Sequence, residues 1–261
     1  MFLAVMIWIT AVLVAASFAI KRWWFPAAIN AHAAQFDSIF SVNLVVMGVI
    51  FFVAQALLGW LIWKHRDRGQ KAQHTEGSTR LEIVWTGLTL VLFLGAGLAS
   101  TGIWYDAHLS ALSDAELKIE VAAKQFAWSF RYAGADGKFG KTDVKLVNDA
   151  SGNPFGIVES DAAGKDDIVS SALRIPAGRP VRLMLQSRDV IHNFFVRELR
   201  IKQDLVPGMT IPFRILADKP GEYEIACSEL CGLGHHQMRS VLVVVSQEDY
   251  DAWLRQQAAQ R

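Results

Sequence analysis

The sequence predicts a membrane-anchored protein in which N-terminal α-helices precede an all-β domain. The first hundred residues contain uncharged apolar runs, which contribute to a mean hydropathy of +0.24 and a hydrophobic content of 52%. After residue 106, short runs rich in Val, Ile and aromatic residues are separated by Gly, Pro and Asp. A formal net charge of +1 gives no indication of nucleic-acid binding, so we expect no nucleic-acid partner.

Two apolar runs predict a transmembrane helical hairpin over residues 39–105. Residues 39–63 and 83–105 carry no charged side chain. Each run is long enough for a helix of roughly 20 residues to cross the hydrocarbon core of a bilayer. Trp60 and Trp63 lie at the end of the first run, where amphipathic rings favour the headgroup region.

A third uncharged run covers residues 1–20. A cleaved signal peptide would carry basic residues before its apolar stretch, whereas here Lys21 and Arg22 come directly after it. We therefore predict an extra transmembrane helix over residues 1–20, with an uncleaved signal anchor as the alternative.

The loop over residues 64–80 predicts the orientation of the protein. Its five Lys and Arg residues outnumber Asp67 and Glu76, and short basic loops stay in the cytoplasm. The chain is therefore expected to be a multi-pass protein of a bacterial-type inner membrane, with residues 106–261 on the outer, periplasmic face.

The outer domain is expected to be a β-sandwich or barrel, because its strand-like runs follow one another without intervening helices. Residues 133–170 are predicted to form a long irregular insertion. A closing helix should follow Ser246, which can cap it with Asp249 at the capping-box position. The predicted strands cover residues 117–132, 180–187, 211–217, 221–227 and 239–246.

The stretch "CSELCGLGHHQM" at residues 227–238 contains both cysteines of the chain. A disulfide, a redox-active dithiol and a metal site are the three alternatives, and an oxidising compartment favours the first. The spacing of Cys227, Cys231, His235 and Met238 allows one loop to bring all four side chains together. Thiolate, thioether and imidazole groups suit copper. A further ligand is expected from elsewhere, and His192 in "SRDVIHNFF" is the candidate, although a lone histidine there could also be a packed core residue.

Two cysteines exceed the need of a single blue-copper site, which uses one Cys, two His and an axial Met. Two thiolates can instead bridge two copper ions, each also bound by one imidazole. Sharing the odd electron between two metals reduces the geometry change at each, which favours rapid electron transfer.

The stretch "CSELCGLGHHQM" resembles the C-x-E-x-C-G-x-x-H-x-x-M signature of subunit II of haem–copper cytochrome c oxidases. "DVIHNFFV" is similar to the family's D-V-x-H-S-x-x-V strand, and "IKQDLVPG" to its K-x-D-x-x-P-G turn. The likeness covers nearly the whole chain. It implies that residues 106–261 form a cupredoxin-type Greek-key barrel that holds the dinuclear copper centre CuA.

The resemblance also implies roles for individual residues. Each copper would have one terminal imidazole and one weak donor, and the Glu229 side chain would face a magnesium ion at the boundary with subunit I. The implied CuA ligands are Cys227 and Cys231 as bridges, His192 and His235 as terminal ligands, and Met238 and the Glu229 carbonyl as weak ligands.

Four further positions match family residues near the electron donor or a proton channel. Phe126 replaces the tryptophan through which electrons arrive from cytochrome c, and Trp128 matches a second tryptophan. Asp189 matches an acidic docking residue, with a simple turn residue as the alternative. Glu82 matches a glutamate at the mouth of a proton channel, with a surface carboxylate as the alternative. Arg197 replaces a proline, so the donor or its docking geometry can differ from the family pattern.

The function that the resemblance implies is electron uptake by a respiratory haem–copper oxidase. Cytochrome c or a similar haem protein would reduce CuA, and haem in subunit I would receive the electron, reduce oxygen to water and drive proton pumping. Subunits I and III are the expected partners, and the haems belong to the partner alone. The alternatives are the CuA subunit of a nitric oxide reductase and a membrane-anchored copper chaperone.

Overall fold

The computed structural model describes residues 1–20, 25–69, 71, 74, 76–108 and 116–260. Lys21 and Arg22 lie outside the described residues. The chain divides into two compact units, one of Met1–Phe25 and Gln35–Gly102, the other of Pro26–Ala34 and Ile103–Arg261. The segment Pro26–Ala34, which includes the first four residues of the second helix, therefore belongs with the C-terminal domain.

The first unit is helical. It is built from α1 (Phe2–Ala19), α2 (Ala31–Lys64) and α3 (Thr79–His108). All three are long and apolar enough to cross a membrane. Both hairpin helices extend beyond the predicted apolar runs, because polar flanking residues continue the helical backbone. At the start of α2, the side chain of Asn30 accepts a hydrogen bond from the backbone N–H of Ala33 (2.7 Å) and so caps the helix.

The first helix packs against the second through small residues. The Trp8 ring lies over Gly59, where an added Cβ would be 2.2 Å from the indole nitrogen. The same nitrogen donates a hydrogen bond to the carbonyl of Ala56 (3.3 Å). Ala4 and Ala11 of α1 are buried. Such small residues let helix backbones approach closely in a membrane, where packing drives association.

The C-terminal domain is a cupredoxin-like pair of five-stranded sheets, which confirms the predicted fold class. The strand orders are β3-β2-β1-β5-β8 and β4-β10-β9-β6-β7. The strands are β1 (Leu117–Lys124), β2 (Ala127–Tyr132), β3 (Ile168–Ser170), β4 (Leu173–Pro176), β5 (Val181–Ser187), β6 (His192–Val196), β7 (Ile201–Leu205), β8 (Ile211–Ile215), β9 (Gly221–Cys227) and β10 (Arg239–Val245).

The inner faces of the two sheets form one hydrophobic core. Phe130 of β2, Leu183 of β5 and Phe194 of β6 are fully buried within it. The alternating side chains of each strand explain this, since every second residue faces the opposite sheet. Ile29, which lies just before α2, also belongs to this core, and its backbone N–H bonds to the carbonyl of Glu198 (3.3 Å).

Two sequence predictions need correction in detail. The predicted run 117–132 is a hairpin of two strands, β1 and β2, joined by a turn at Gln125 and Phe126. The predicted irregular insertion ends at residue 167, because residues 168–170 form β3 and pair with β2. A three-residue edge strand has too few alternating positions to give a pattern in the sequence.

The predicted closing helix is confirmed as α4 (Gln247–Ala259). Ser246 caps it: the backbone N–H of Asp249 donates to the Ser246 hydroxyl (3.0 Å), which in turn donates to the Asp249 carboxylate (2.7 Å). Tyr250 and Trp253 pack this helix onto the sheets, and Trp253 lies edge-on to Tyr132 with ring centroids 5.0 Å apart.

Replacing the cap should loosen this helix. Ser246→Ala removes the oxygen that accepts the Asp249 N–H, and we expect a loss of about 0.5–2 kcal/mol in the free energy of unfolding. Amide hydrogen exchange across α4 measures the effect. Ser246→Thr keeps a hydroxyl that can both accept the Asp249 N–H and donate to the Asp249 carboxylate, and should retain the original protection; equal exchange in both variants would contradict the capping role.

Candidate metal centre

The predicted ligands come from one end of the second sheet. His192 begins β6, Cys227 ends β9, and Met238 immediately precedes β10. These three strands are neighbours, with β9 in the middle, and Phe194 of β6 pairs with Cys227 of β9. The sheet register therefore brings His192, which is 35 positions away in sequence, beside the cysteine loop.

Four donor groups converge around the sulfur atoms of the two cysteines, which makes six donors in all. Cys227 and Cys231 are free thiols whose Sγ atoms are 3.8 Å apart, so no disulfide joins them in the structure. Each sulfur faces a different imidazole. The distances are His192 Nδ1 to Cys227 Sγ 3.9 Å, His235 Nδ1 to Cys231 Sγ 3.5 Å, Met238 Sδ to Cys231 Sγ 3.8 Å and Glu229 O to Cys227 Sγ 3.2 Å.

The cluster is shielded from solvent. His192 and Met238 are fully buried, and the nitrogen and sulfur donors of His192, Cys227 and Cys231 all lie within 4.8 Å of one another. Burial raises the pKa of Cys231 to about 11, and the neighbouring thiol of Cys227 adds to the increase. Without a metal this thiol is protonated at neutral pH, so metal binding must release a proton.

The donor set fits two copper ions. Two thiols, two imidazoles and a thioether are soft to borderline donors, and the backbone carbonyl is the one hard donor among the six, whereas a Ca²⁺ or Mg²⁺ site would need mainly oxygen ligands. One copper of the blue type would use only one of the two thiolates. The orientation of His192 also argues against a purely packed core histidine, because its Nδ1 faces a sulfur.

Asp189 orients His192 from behind. The Asp189 carboxylate lies 2.8 Å from His192 Nε2 and accepts the backbone N–H of Gln125 (2.7 Å). Partial burial alone would raise the pKa of Asp189, but the hydrogen bonds from Gln125, His192 and Val190 lower it below its usual value. An ionised carboxylate only accepts, so Nε2 carries the hydrogen and Nδ1 keeps a free lone pair toward the sulfur.

The two aromatic residues of "KQFAW" take different positions. Phe126 is partly exposed, and its ring covers the backbone of the cysteine loop, where a Cβ on Gly234 would lie 2.4 Å from the ring. Trp128 is buried and lies edge-on to His192, with ring centroids 6.4 Å apart. The loop needs glycine at Gly232, whose φ of +136° is rare for other residues.

The remaining predicted residues lie away from the buried donors. The Glu229 side chain is exposed, as is that of His236 beside the predicted ligand His235. Glu82 lies in the first turn of α3, in the helical unit, with an exposed side chain. The suggested roles of these carboxylates toward magnesium and a proton channel remain predictions.

Sequence reasoning missed two polar residues that contact the ligand segments. The Gln125 side chain donates to the carbonyl of Cys231 (2.5 Å), and the Asn193 side chain bonds to Ser228, the neighbour of Cys227. Asn193 stands directly beside the predicted ligand His192 in the sequence, whereas the position of Gln125 gave no such sign. Their contacts depend on the pairing of distant strands.

Removing the carboxylate behind His192 should weaken metal binding. Asp189→Asn keeps the shape of the side chain but not its charge, and loss of such an orienting partner typically reduces metal affinity about 10–100-fold. Competition for copper between the purified full chain and a chelator measures the change. Asp149→Asn is the matched control, since Asp149 pairs with Lys124 and Arg188 instead of a ligand. Equal copper affinities of the two variants would contradict the orienting role.

Comparison with known proteins shows the family of this chain. Residues 117–245 match the family described as cytochrome c oxidase subunit II, periplasmic domain. The alternative cytochrome c oxidase subunit 2 of Bradyrhizobium diazoefficiens is 34% identical over 241 residues, covering 90% of this chain and 84% of that protein. Cytochrome c oxidase subunit 2 of Thermostichus vulcanus is 29% identical over 259 residues, covering 90% of this chain and 78% of that protein.

Among solved structures, the periplasmic domain of cytochrome oxidase subunit II (CoxB) of Bradyrhizobium japonicum is similar to this chain. The identity is 24%, the TM-score is 0.42, and the match covers 57% of this chain and 99% of that one.

The helices, the two-sheet domain and the His, Cys, Cys cluster define a membrane-anchored, cupredoxin-like protein of the copper-binding class. More specifically, the chain belongs to the cytochrome c oxidase subunit II family and is thus a subunit of a haem–copper oxidase. Copper binding and electron transport follow from this membership.

Proposed function

We propose that this chain is the electron-accepting subunit of a respiratory haem–copper oxidase and holds a dinuclear CuA centre. Cytochrome c or a similar haem protein is the donor, and haem in subunit I receives the electrons for oxygen reduction coupled to proton pumping. The observation that carries the proposal is the convergence of two imidazoles, a thioether and a backbone carbonyl around two unbonded buried cysteine sulfur atoms.

The residues of this chain would hold the two copper ions in a fixed arrangement. Cys227 and Cys231 would bridge them, while His192 and His235 would each bind one through Nδ1, the nitrogen that faces a sulfur. When bound, CuA supplies a site that takes up and gives away one electron at a time. Burial of His192, Met238 and both cysteines limits the access of water, and the strands around them resist movement, which keeps the geometry change on electron transfer small.

The surface next to the cluster suits the approach of an electron donor. Phe126 lies on the cysteine loop with part of its ring exposed, and Val190 and Ile191 are exposed close to the ligand His192 in sequence. Behind them, Trp128 contacts His192 inside the domain. We propose that the donor docks over Phe126, with Asp189 close to the contact.

The exposed carboxylate of Glu229 is available to a partner, unlike its carbonyl, which faces Cys227. We propose that it binds magnesium at the boundary with subunit I. Subunit III is a further proposed partner. The proposed location is the inner membrane, with all three helices spanning it and the C-terminal domain in the periplasm.

The two alternative functions are not favoured. The relatives described above are oxidase subunits, rather than nitric oxide reductases or chaperones. A chaperone for one copper ion would also not need the Met238 sulfur beside Cys231.

Copper titration of the purified full chain tests the proposed function. We expect uptake of two copper ions per chain, a purple colour and a paramagnetic spectrum in which one electron is shared by two nuclei. Uptake of a single ion, or the hyperfine pattern of a single nucleus, would overturn the dinuclear assignment.

Substitution of the surface aromatic residue tests the docking position. Phe126→Trp adds a larger ring with an N–H group at the partly exposed site, and we expect severalfold faster reduction of CuA by cytochrome c in stopped-flow measurements. Phe155→Trp, in the segment 133–167, is the matched control and should leave the rate unchanged. Equal rates for both variants and the original chain would contradict electron uptake over Phe126.

A further inference from the structure

A buried asparagine joins the two chain segments that carry the ligands. Asn193 follows His192 in β6, and its position corresponds to the serine of the D-V-x-H-S-x-x-V pattern. Neighbouring residues of a strand point to opposite faces, so Asn193 points away from the sulfur atoms that His192 faces. Its side chain is only 3% exposed, and a buried amide must find hydrogen-bond partners to offset the loss of water.

The Asn193 side chain uses both ends of its amide. Its Nδ2 donates to the carboxylate of Asp204 on the paired strand β7 (2.5 Å). Its Oδ1 accepts from the hydroxyl of Ser228 (2.6 Å), and its backbone carbonyl accepts the Ser228 N–H (3.2 Å). Ser228 is therefore held at its backbone and at its side chain by one residue.

Ser228 lies between two donors of the cluster. Cys227 precedes it, and Glu229, whose carbonyl is 3.2 Å from Cys227 Sγ, follows it. Any rotation of the chain at Ser228 moves that carbonyl relative to the sulfur. The two hydrogen bonds that Ser228 donates to Asn193 oppose such a rotation. They also connect Ser228 to the strand that begins with His192.

We infer that Asn193 is a positioning residue that sets the distance between the Glu229 carbonyl and the metal centre. Through this distance, Asn193 sets the reduction potential of the metal centre. The inference rests on the proposed dinuclear copper site. A carbonyl oxygen is a harder donor than sulfur and favours the more oxidised copper, so a looser carbonyl should raise the potential. Serine at position 193 would be too short to reach both Asp204 and Ser228.

The two partners of Asn193 can be separated by substitution. Asn193→Ala removes both side-chain hydrogen bonds. Ser228→Ala removes only the bond to the serine hydroxyl, whereas Ser228→Thr keeps a hydroxyl in the same place. Asn153→Ala is the matched control, because the Asn153 side chain also makes two hydrogen bonds, to the N–H (2.7 Å) and carbonyl (3.0 Å) of Ile157, in a segment without ligands.

The experiment measures reduction potential, copper hyperfine splitting and copper content of the full chain loaded with copper. For Asn193→Ala and Ser228→Ala we expect two copper ions, a higher potential, altered splitting and about tenfold faster loss of copper to a chelator. Ser228→Thr and Asn153→Ala should match the original chain in these three measurements and in the rate of copper loss.

Unchanged potential and splitting in both alanine variants would overturn the inference while the proposed function stands. The same shift in Ser228→Ala and Ser228→Thr would also overturn it, because the hydroxyl would then have no role. If Asn193→Ala does not fold, the two Ser228 variants still decide the question. A single copper ion in the unsubstituted chain would overturn the proposed function and this inference together.

Discussion

Replacing Cys227 with Ser is expected to abolish electron uptake while the protein still inserts into the membrane. The Cys227 sulfur lies near three other donors of the cluster, namely the Cys231 sulfur, the Glu229 carbonyl and Nδ1 of His192. A hydroxyl is a hard and weakly acidic group that cannot replace a bridging thiolate. The copper content should therefore fall from two ions to at most one per chain.

Three measurements check this result. The paramagnetic spectrum should change to the pattern of a single nucleus, reduction by cytochrome c should be lost, and the amount of protein in the membrane fraction should stay the same. Met238→Leu is the control, since it keeps both thiols and replaces only a weak donor by a side chain of similar volume. It should retain two copper ions. Loss of membrane-inserted Cys227→Ser protein would instead mean that this cysteine serves folding.

Removing Asp167 is expected to cause the largest loss of stability. Arg131 is almost fully buried, and its guanidinium binds the carboxylates of Asp167 and Glu120 and the carbonyl of Gly140. Asp167 is fully buried and also accepts the N–H of Gly140 (3.0 Å). Asp167→Ala would leave a buried cation with one carboxylate, and breaking a buried ion pair in this way costs about 3–5 kcal/mol.

Amide hydrogen exchange of β1 and β2 in the full chain measures this loss, because Glu120 and Arg131 are paired across these strands. Glu224→Ala is the matched control. It removes a carboxylate from the exposed ion pair with Arg239 (3.1 Å) on the outer face of the second sheet. Such surface pairs contribute about 0–1 kcal/mol. A loss for Asp167→Ala no larger than that for Glu224→Ala would mean that Arg131 does not depend on its buried partner.

Much of the fold could be predicted from the sequence because its patterns are local. An uncharged run of the length of 39–63 predicts a membrane helix in any context, and the Ser246 cap with Asp249 is contained in four residues. The helix ends were less predictable, since α2 begins at Ala31, in a polar stretch where Asn30 supplies the cap. The short strands β3 and β4 were missed because three or four residues give no clear alternation.

The candidate site also has a part that the sequence predicts and a part that it does not. Cys227, Cys231, His235 and Met238 could be identified together because a single loop contains them. The contacts of Gln125, Asp189 and Asn193 could not be predicted from the sequence. Each of these contacts joins a ligand segment to a residue that is distant in the sequence or lies on a paired strand.

By itself, the sequence determined the membrane helices, the all-β character of the outer domain and the chemical nature of the ligand loop. These three features depend on hydrophobicity and on residue spacings of three or four, which involve only short segments of the chain. Only the tertiary structure decided that the Gln125 N–H donates to Asp189, that Asn193 holds Ser228 and that Arg131 is buried with Asp167. Sheet register sets those contacts, and register depends on the packing of the whole core rather than on any one segment.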